Sequence, residues 1–392
     1  MKKAILFLCL FLLSIDMSAQ YVMDDTSEIS LLVGGASEEE VFTVYGHAAI
    51  RVHDPQQKLD YLFNYGLFDF SKPNFVYRFA KGETDYHLGI GRFQDYVVEC
   101  KMRGCSLTEL VLDLSHREKN KILQALIDNA KPENRVYRYN FFFDNCATRP
   151  VVVLKDQVDG SILFPPSTDT CAFRDMINHA TRNKPWLTLG CDLALGSMTD
   201  RLATAEEMIF LPSYMQEALV NAKLKDYDGK VRPLVKETKI LVKENLPPVK
   251  NTWLTPLFSA WMLFLFVFAL TLWGIKLGRT FVGLDYFLFT LAGVSGCLLS
   301  YISLLSEHPF VFPNWNLLFL HPFHLLAVVL FAVKGCKPFV TFYHFTNFVA
   351  LILLLAVWIV GEQHMNAAFV PLVLTLLTRS LYNLYRTLKK NK

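Results

Sequence analysis

Two patterns of apolar and polar positions divide this chain. As far as Lys250, charged and apolar residues are interleaved in short stretches. From Leu254 onward five long apolar runs follow one another: Leu254–Gly274, Phe281–Leu305, Leu317–Val333, Phe339–Val360 and Ala367–Tyr385. Each approaches the roughly 20 residues that span a bilayer core. The second half therefore predicts an all-α polytopic membrane domain of about five helices, with the third run short and the fifth interrupted by Arg379. Lys276 and Arg279 lie between runs one and two, Lys334 and Lys337 between three and four, and Arg386, Lys389, Lys390 and Lys392 near the end, while the other two loops hold no Lys or Arg. Positive loops stay on the cytoplasmic side, so runs one, three and five point inward and the C-terminus is expected in the cytoplasm.

The first half reads as α+β. Glu40–His53 and Lys58–Tyr65 alternate like paired strands around an Asp54-Pro55-Gln56-Gln57 turn. Ser115–Asn129 predicts an amphipathic helix capped by Ser115 with Glu118 three residues on. Arg135–Phe143 predicts a strand, Val151–Val158 and Thr204–Asn221 helices, and Lys223–Lys243 a hairpin about Asp228-Gly229. Leu246-Pro247-Pro248 then makes a stiff linker to the membrane. At the other end, Lys2 and Lys3 precede the short apolar stretch Ala4–Leu13, and Ser18 and Ala19 offer small residues for cleavage. That is the layout of a secretory signal; an uncleaved anchor is the alternative. The expected organisation is a signal over 1–20, an exported domain over 21–250 and a membrane domain over 251–392. Signal and loop charges independently place residue 250 outside.

Composition adds two restrictions. The formal net charge of +3 comes with no dense basic stripe in the exported half, which argues against a nucleic-acid partner. Of eight cysteines, Cys9 lies in the signal, and Cys297 and Cys336 lie in or beside the membrane. Cys100, Cys105, Cys146, Cys171 and Cys191 are exported; Cys100–Cys105 and Cys171–Cys191 are one pairing that export permits, and Cys146 is then the odd thiol.

The segment Tyr139-Asn140-Phe141-Phe142-Phe143-Asp144-Asn145-Cys146-Ala147-Thr148-Arg149 carries the candidate chemistry. It delivers Cys146 to the start of a helix that Asn145 can cap, with Pro150 in the first turn, where a missing N–H costs little. A thiol there feels the positive helix end, which favours thiolate, and nearby backbone N–H groups could hold an oxyanion. Among the exported histidines, His47 in Val44-Tyr45-Gly46-His47-Ala48-Ala49-Ile50-Arg51-Val52 suits a general base, and Asn64 on the neighbouring strand suits the group that orients it. Metal-ligand spacings and a phosphate-binding glycine loop are missing from the sequence. In the outer loop of the membrane half, His308, Asn314, Asn316 and His321 are expected at the outer interface, where polar groups mark a functional site or anchor the loop beside Trp315.

The order strand His, strand Asn, helix-opening Cys resembles the circularly permuted papain-like enzymes, a group similar to NlpC-type peptidases and lecithin:retinol acyltransferase. More closely, the YGHAAIRV, LDYLFNYGLFDF and YNFFFDNCATR blocks resemble the periplasmic domain of the Lnb lipoprotein N-acylation enzymes, and HPFVFPNWNLLFLHP resembles their membrane domain. The resemblance implies a permuted papain-like domain joined to the membrane helices. It further implies transfer of an acyl chain from a diacylglyceryl lipoprotein to that lipoprotein's N-terminal amine through a Cys146 thioester. His47 would accept the thiol proton and Asn64 would orient His47, with Asn145, Arg149 and Tyr45 supporting substrate or oxyanion. Lipoprotein and membrane lipid are then the partners, and no cofactor is required. This chain departs from the family's usual continuation in having Pro150-Val151-Val152 after Arg149. A cell-wall peptidase or amidase using the same thiol chemistry, and a non-enzymatic membrane assembly factor with Cys146 and His47 as packing residues, are the competing readings.

Overall fold

A computed structural model describes residues 22–37, 39–68, 73–165, 171–247 and 252–390. The expected signal over 1–20 and the Pro248 end of the linker lie outside the described residues. In chain order the elements are β1 (Glu28–Gly34), β2 (His47–Asp54), β3 (Leu59–Leu67), α1 (Phe75–Lys81), β4 (Asp85–Arg92), α2 (Phe93–Arg103), β5 (Leu107–Leu112), α3 (His116–Ala130), β6 (Val136–Arg138), α4 (Thr148–Gln157), β7 (Gly160–Leu163), α5 (Phe173–Thr181), α6 (Pro185–Ala194), α7 (Pro212–Val220), β8 (Lys223–Asp226), β9 (Val231–Pro233) and β10 (Val235–Val242). Five helices complete the chain: α8 (Pro256–Leu277), α9 (Val282–Leu305), α10 (Phe323–Ala332), α11 (Lys337–Val360) and α12 (Phe369–Lys390).

The first part is an α+β domain around a seven-stranded sheet ordered β10-β5-β1-β2-β3-β4-β6. The central strands bury both faces, and period-two alternation sorts their side chains. Ile29, Leu31, Ala48, Ile50, Phe63 and Tyr65 pack toward Ile122 and Leu126 of α3 and Val151 and Leu154 of α4. Leu32, Ala49 and Leu62 pack on the other face against Phe93, Tyr96 and Cys100 of α2. On that face Arg51 of β2 grips Asp60 of β3 through Nε at 2.7 Å and, across β1, Glu109 of β5 through Nη1 at 2.8 Å while stacking on Phe93. The β2–β3 turn forms as expected: buried Asp54 accepts from the Gln56 and Gln57 amides at 2.9 and 3.0 Å. Helix α3 carries the expected capping box, Glu118 N–H to Ser115 Oγ and Ser115 N–H to Glu118 Oε2.

Four expectations change. The strand expected from Glu40 starts only at His47, because the chain leaves the 3₁₀ segment Thr43–Tyr45 through a turn at Gly46. The strand expected over Arg135–Phe143 is limited to Val136–Arg138. Asn140 and Asp144 close a tight loop by reciprocal backbone bonds of 3.0 Å, and Asn140 Oδ1 accepts from the Phe142 and Phe143 amides, the side-chain-supported turn that asparagine favours. The helix expected over Thr204–Asn221 breaks into a 3₁₀ turn and α7, because Pro212 sits where only a helix start tolerates it. Of Lys223–Lys243, only β8 and β9 form the hairpin in a small sheet, while β10 crosses to the edge of the main one.

In the C-terminal part, α8, α9, α11 and the Trp315–Ala332 segment are long and apolar enough to cross a membrane. The fifth helix, α12, runs 22 residues and packs into the same bundle core through Phe369, Val373 and Leu376. Its Arg379 is fully buried, held by Asp285 of α9 through two bonds of 2.6 and 3.0 Å and by Thr271 of α8 at 2.9 Å. The charge that weakened this helix in the sequence is thus neutralised inside the bundle. Helix α10 has ten residues, about 15 Å, half of the roughly 30 Å core. The preceding loop therefore descends into the bundle, which irregular backbone tolerates only when buried in protein. The backbone of His321 lies against Gly296, where an added Cβ would come within 2.5 Å. Gly296 is nine residues before the end of α9, about 13 Å down its axis, so His321 sits deep in the bundle, below the outer interface where it was expected.

Removing one partner of the buried pair strands the other charge, which costs about 3–5 kcal/mol. Arg379→Leu is expected to lower the melting temperature of the detergent-solubilised chain sharply, and Asp285→Leu with Arg379→Leu to recover most of the loss.

Candidate active site

The site lies at the end of the sheet where β2 and β3 part. The β2–β3 ladder runs from Asp54–Leu59 to Ile50–Phe63 and stops there. Beyond it the β3–β4 pairing slips between Tyr65 and Leu67, a bulge centred on Gly66, whose φ of +127° suits glycine. His47 opens β2 immediately after Gly46, whose φ of +77° makes the turn from the 3₁₀ segment Thr43–Tyr45. By alternation His47 and Asn64 project on the same face, that of Ala49 and Leu62.

The cysteine arrives from the other side, on the loop that leads into α4. Asn145 is buried and all its polar atoms are used: Oδ1 accepts from the Ala147 and Thr148 amides at 2.8 and 3.0 Å, and Nδ2 donates to the Phe141 and Phe210 carbonyls. It caps the helix and pins the loop. Cys146 is left half-buried at the helix start, with the N-terminal partial positive charge beside it.

The fold brings His47, Asn64 and Cys146 together. His47 Nε2–H donates to Asn64 Oδ1 at 2.7 Å, which leaves Nδ1 as the ring's acceptor, and the imidazole and the thiol lie close enough for each to act on the other's ionisation. A side chain added at Gly66 would meet His47 Cε1 at 3.3 Å and Cys146 Cβ at 3.5 Å, so the glycine keeps the approach to both groups open. Burial pushes the Cys146 thiol up, but the charge of His47, its hydrogen bond and the N–H groups of Ala48 and Cys146 outweigh burial and hold the thiol below its ordinary value. Burial likewise works against the His47 imidazolium, yet the Cys146 charge and hydrogen bond, then Asn64 and Glu99, hold it above its ordinary value. The opposed shifts move the thiol toward ionisation and the imidazole toward protonation. Elsewhere burial dominates, pushing the Cys100 thiol up to about 12 and raising Cys191. The Ala48 N–H is available because the ladder to β3 has ended, and with the Cys146 N–H it gives the sulfur two backbone donors.

The expected supporting side chains are engaged elsewhere. Asn145 is consumed by capping. Arg149 forms a two-bond ion pair with Asp144 and stacks 3.6 Å above the Tyr137 ring, so it shapes the loop. The Tyr45 hydroxyl contacts Cys191 Sγ at 3.6 Å. Cys100, Cys105 and Cys191 are thiols, so neither the Cys100–Cys105 nor the Cys171–Cys191 cystine forms. In the outer loop, Asn314 Nδ2 donates to the Leu193 carbonyl and Asn316 Nδ2 to the Asp192 carbonyl, satisfying the open end of α6. His308 Nε2–H donates to the Phe79 carbonyl at 2.7 Å, and His321 stacks on His324. His308, Asn314 and Asn316 join the two parts of the chain, and His321 stays within the bundle.

Two contributors had little signal in the sequence. Gly66 was visible only as the residue two beyond Asn64. Phe310, in the outer loop with φ +62°, packs on Phe142 and Phe143 of the cysteine loop at 5.0 and 5.3 Å and on Phe173 at 5.2 Å. The membrane domain thereby touches the loop that presents Cys146, a contact no local pattern encodes.

The pH midpoint for alkylation of Cys146 by iodoacetamide is expected below that of an ordinary thiol. His47→Ala should raise it by about one pH unit or more, and Asn64→Ala should raise it less. Identical midpoints in all three chains would show that the imidazole does not act on the sulfur.

Two family models match the chain: the Lnb N-terminal periplasmic domain over residues 21–173 and the Lnb transmembrane domain over residues 248–391. No curated protein and no solved structure matches it. With both domains present in one polypeptide, the chain belongs to the Lnb family and is a multi-pass inner-membrane protein with a periplasmic N-terminal domain.

Proposed function

We propose that the chain is a thiol-dependent transacylase that N-acylates lipoproteins. The observation that carries this reading is the meeting of His47 and Cys146 beside Gly66, with Asn64 bonded to the imidazole. The Cys146 thiolate attacks an acyl ester carbonyl of a membrane-held diacylglyceryl lipoprotein, and the oxyanion develops toward the Ala48 and Cys146 N–H groups. As the tetrahedral intermediate collapses, the His47 imidazolium protonates the departing glyceryl oxygen, leaving a thioester on Cys146 and a free hydroxyl. The lipoprotein's N-terminal amine then attacks the thioester and gives its proton to His47, and the thiolate leaves. One ester and one amine become one alcohol and one amide, and the pair is restored.

The membrane domain favours this substrate class over a cell-wall peptide. A site held beside the bilayer meets lipid-anchored esters at high effective concentration, whereas a soluble or singly anchored enzyme suffices to reach wall peptides. The downward shift of the Cys146 thiol, against its burial, argues against a packing role. The charges of the loops orient the bundle with the C-terminus in the cytoplasm and the site outside.

Mass spectrometry of lipoprotein N-termini tests the reading. Cells carrying the intact chain are expected to show N-acylated lipoproteins with one ester fewer, and cells carrying Cys146→Ala unmodified diacylglyceryl forms; identical patterns would defeat it. Activity should follow a bell in pH. It rises as Cys146 ionises, at a midpoint below the ordinary thiol value, and falls as His47 loses its proton, at a midpoint above the ordinary imidazole value. His47→Ala should lower the rate about 10²- to 10⁴-fold.

A further inference from the structure

The β3–β4 connection reaches the site at one end and the bundle at the other. Helix α1 lies in that connection and turns three apolar side chains outward, Val76 at 80 % exposure, Tyr77 at 55 % and Phe79 at 50 %. A surface of this kind, on an element fixed to a membrane protein, marks contact with something apolar. Helix α1 is seated on the outer end of α9. The Tyr77 and Tyr301 rings lie 6.1 Å apart, the Glu307 amide donates to the Lys81 carbonyl at 2.7 Å, and His308 bonds the Phe79 carbonyl. Tyr301 is four residues from the end of α9, about 6 Å along its axis, so α1 lies level with the last turn of that helix. Aromatic residues favour that level, and Arg78 and Lys81 share the helix.

An ion pair ties this helix to β4, beside an aromatic cluster next to the sulfur. Arg78 grips Asp85, the first residue of β4, and the next residue, Tyr86, stacks on Tyr139 at 4.1 Å and meets Phe68 at 4.9 Å. Phe68 meets Phe42 at 5.9 Å. Tyr86 and Tyr139 are both near enough to Cys146 to feel its charge, and the missing side chain of Gly66 opens the last step to the pair. We propose that α1 is set into the outer leaflet and that Phe42, Phe68, Tyr86 and Tyr139 form the track along which an acyl chain of a glycerolipid leaves the leaflet to bring its ester to Cys146. The track deepens the transacylase reading and rests on it for the fate of the ester; the occupancy of the track by acyl chains is a separate claim.

The test uses the full chain in phosphatidylglycerol vesicles with a diacylglycerolipid bearing a photoreactive diazirine in its acyl chain, in the Cys146→Ala form so that the lipid is not consumed. Adducts are expected on the peptide holding Val76, Tyr77 and Phe79 and on Phe68 or Tyr86. Adducts confined to residues 256–390, or crosslinks joining two copies through α1, would overturn the track. In the otherwise intact chain, Phe68→Glu should slow acylation of Cys146 by a vesicle-borne diacyl substrate ten-fold or more, while alkylation by iodoacetamide stays within two-fold. An equal loss in both reactions would mean that the site itself was damaged and would count against the track. If the unsubstituted chain forms no thioester, the transacylase reading fails, and the photoadducts alone decide whether acyl chains occupy the track.

Discussion

A half-buried thiolate is costly unless something nearby compensates its charge, and the rest of this structure follows from how that is done. The compensation comes from two segments distant in sequence: the start of β2, with the His47 imidazole and the Ala48 N–H, and the start of α4, with the Cys146 N–H and the helix end. Each needs a defect in regular structure. The β2–β3 ladder has to end early so that the Ala48 N–H is released, the β3–β4 ladder has to bulge at Gly66 so that nothing covers the pair, and the cysteine loop has to turn tightly at Asn140–Asp144 so that Cys146 reaches the helix start. Desolvation alone would raise the thiol; the imidazole reverses the sign because its charge acts across a short, poorly solvated gap.

The second constraint is the joint between the two halves. A periplasmic domain tethered by a linker alone would present its site to the bilayer in many orientations. Here the joint is ordered by directional bonds. Asp192 accepts from buried Arg174 on one side and from Asn366 on the other, Asn314 and Asn316 close the end of α6, and Arg138 pairs with Glu307. Phe310 then carries the contact from the membrane loop to the phenylalanines that precede Cys146. The polar residues of the outer loop serve this orientation, which explains their presence without assigning them chemistry.

Burial decides the fate of the other cysteines as well. Cys100 and Cys105 share the core on the α2 face and remain thiols, and Cys171 and Cys191 lie in the aromatic cluster under the cysteine loop. Export made pairing possible, and packing made small apolar side chains sufficient at these positions.

What the sequence determined by itself were the features set by local periodicity and by neighbours in the chain. The apolar runs of the membrane helices, the Ser115–Glu118 cap, the Asp54 turn and the capping of a helix by Asn145 all depend on residues a few positions apart, and all appear in the structure. The membership of His47, Asn64 and Cys146 in one site was readable from their order along the chain through family resemblance, because that order follows strand and helix succession. Only the tertiary structure decided what depends on distant segments meeting. Arg149 turns to Asp144 and Tyr137, Tyr45 to Cys191, and Asn145 is spent on its own loop, since each finds a nearer partner than a substrate. The loop holding His321 sinks into the bundle because α10 is too short to cross alone, and Arg379 is accommodated because Asp285, 94 positions away, folds against it. Hydrogen bonds and ion pairs of that range carry no periodic signature, so their geometry exists only once the chain has packed.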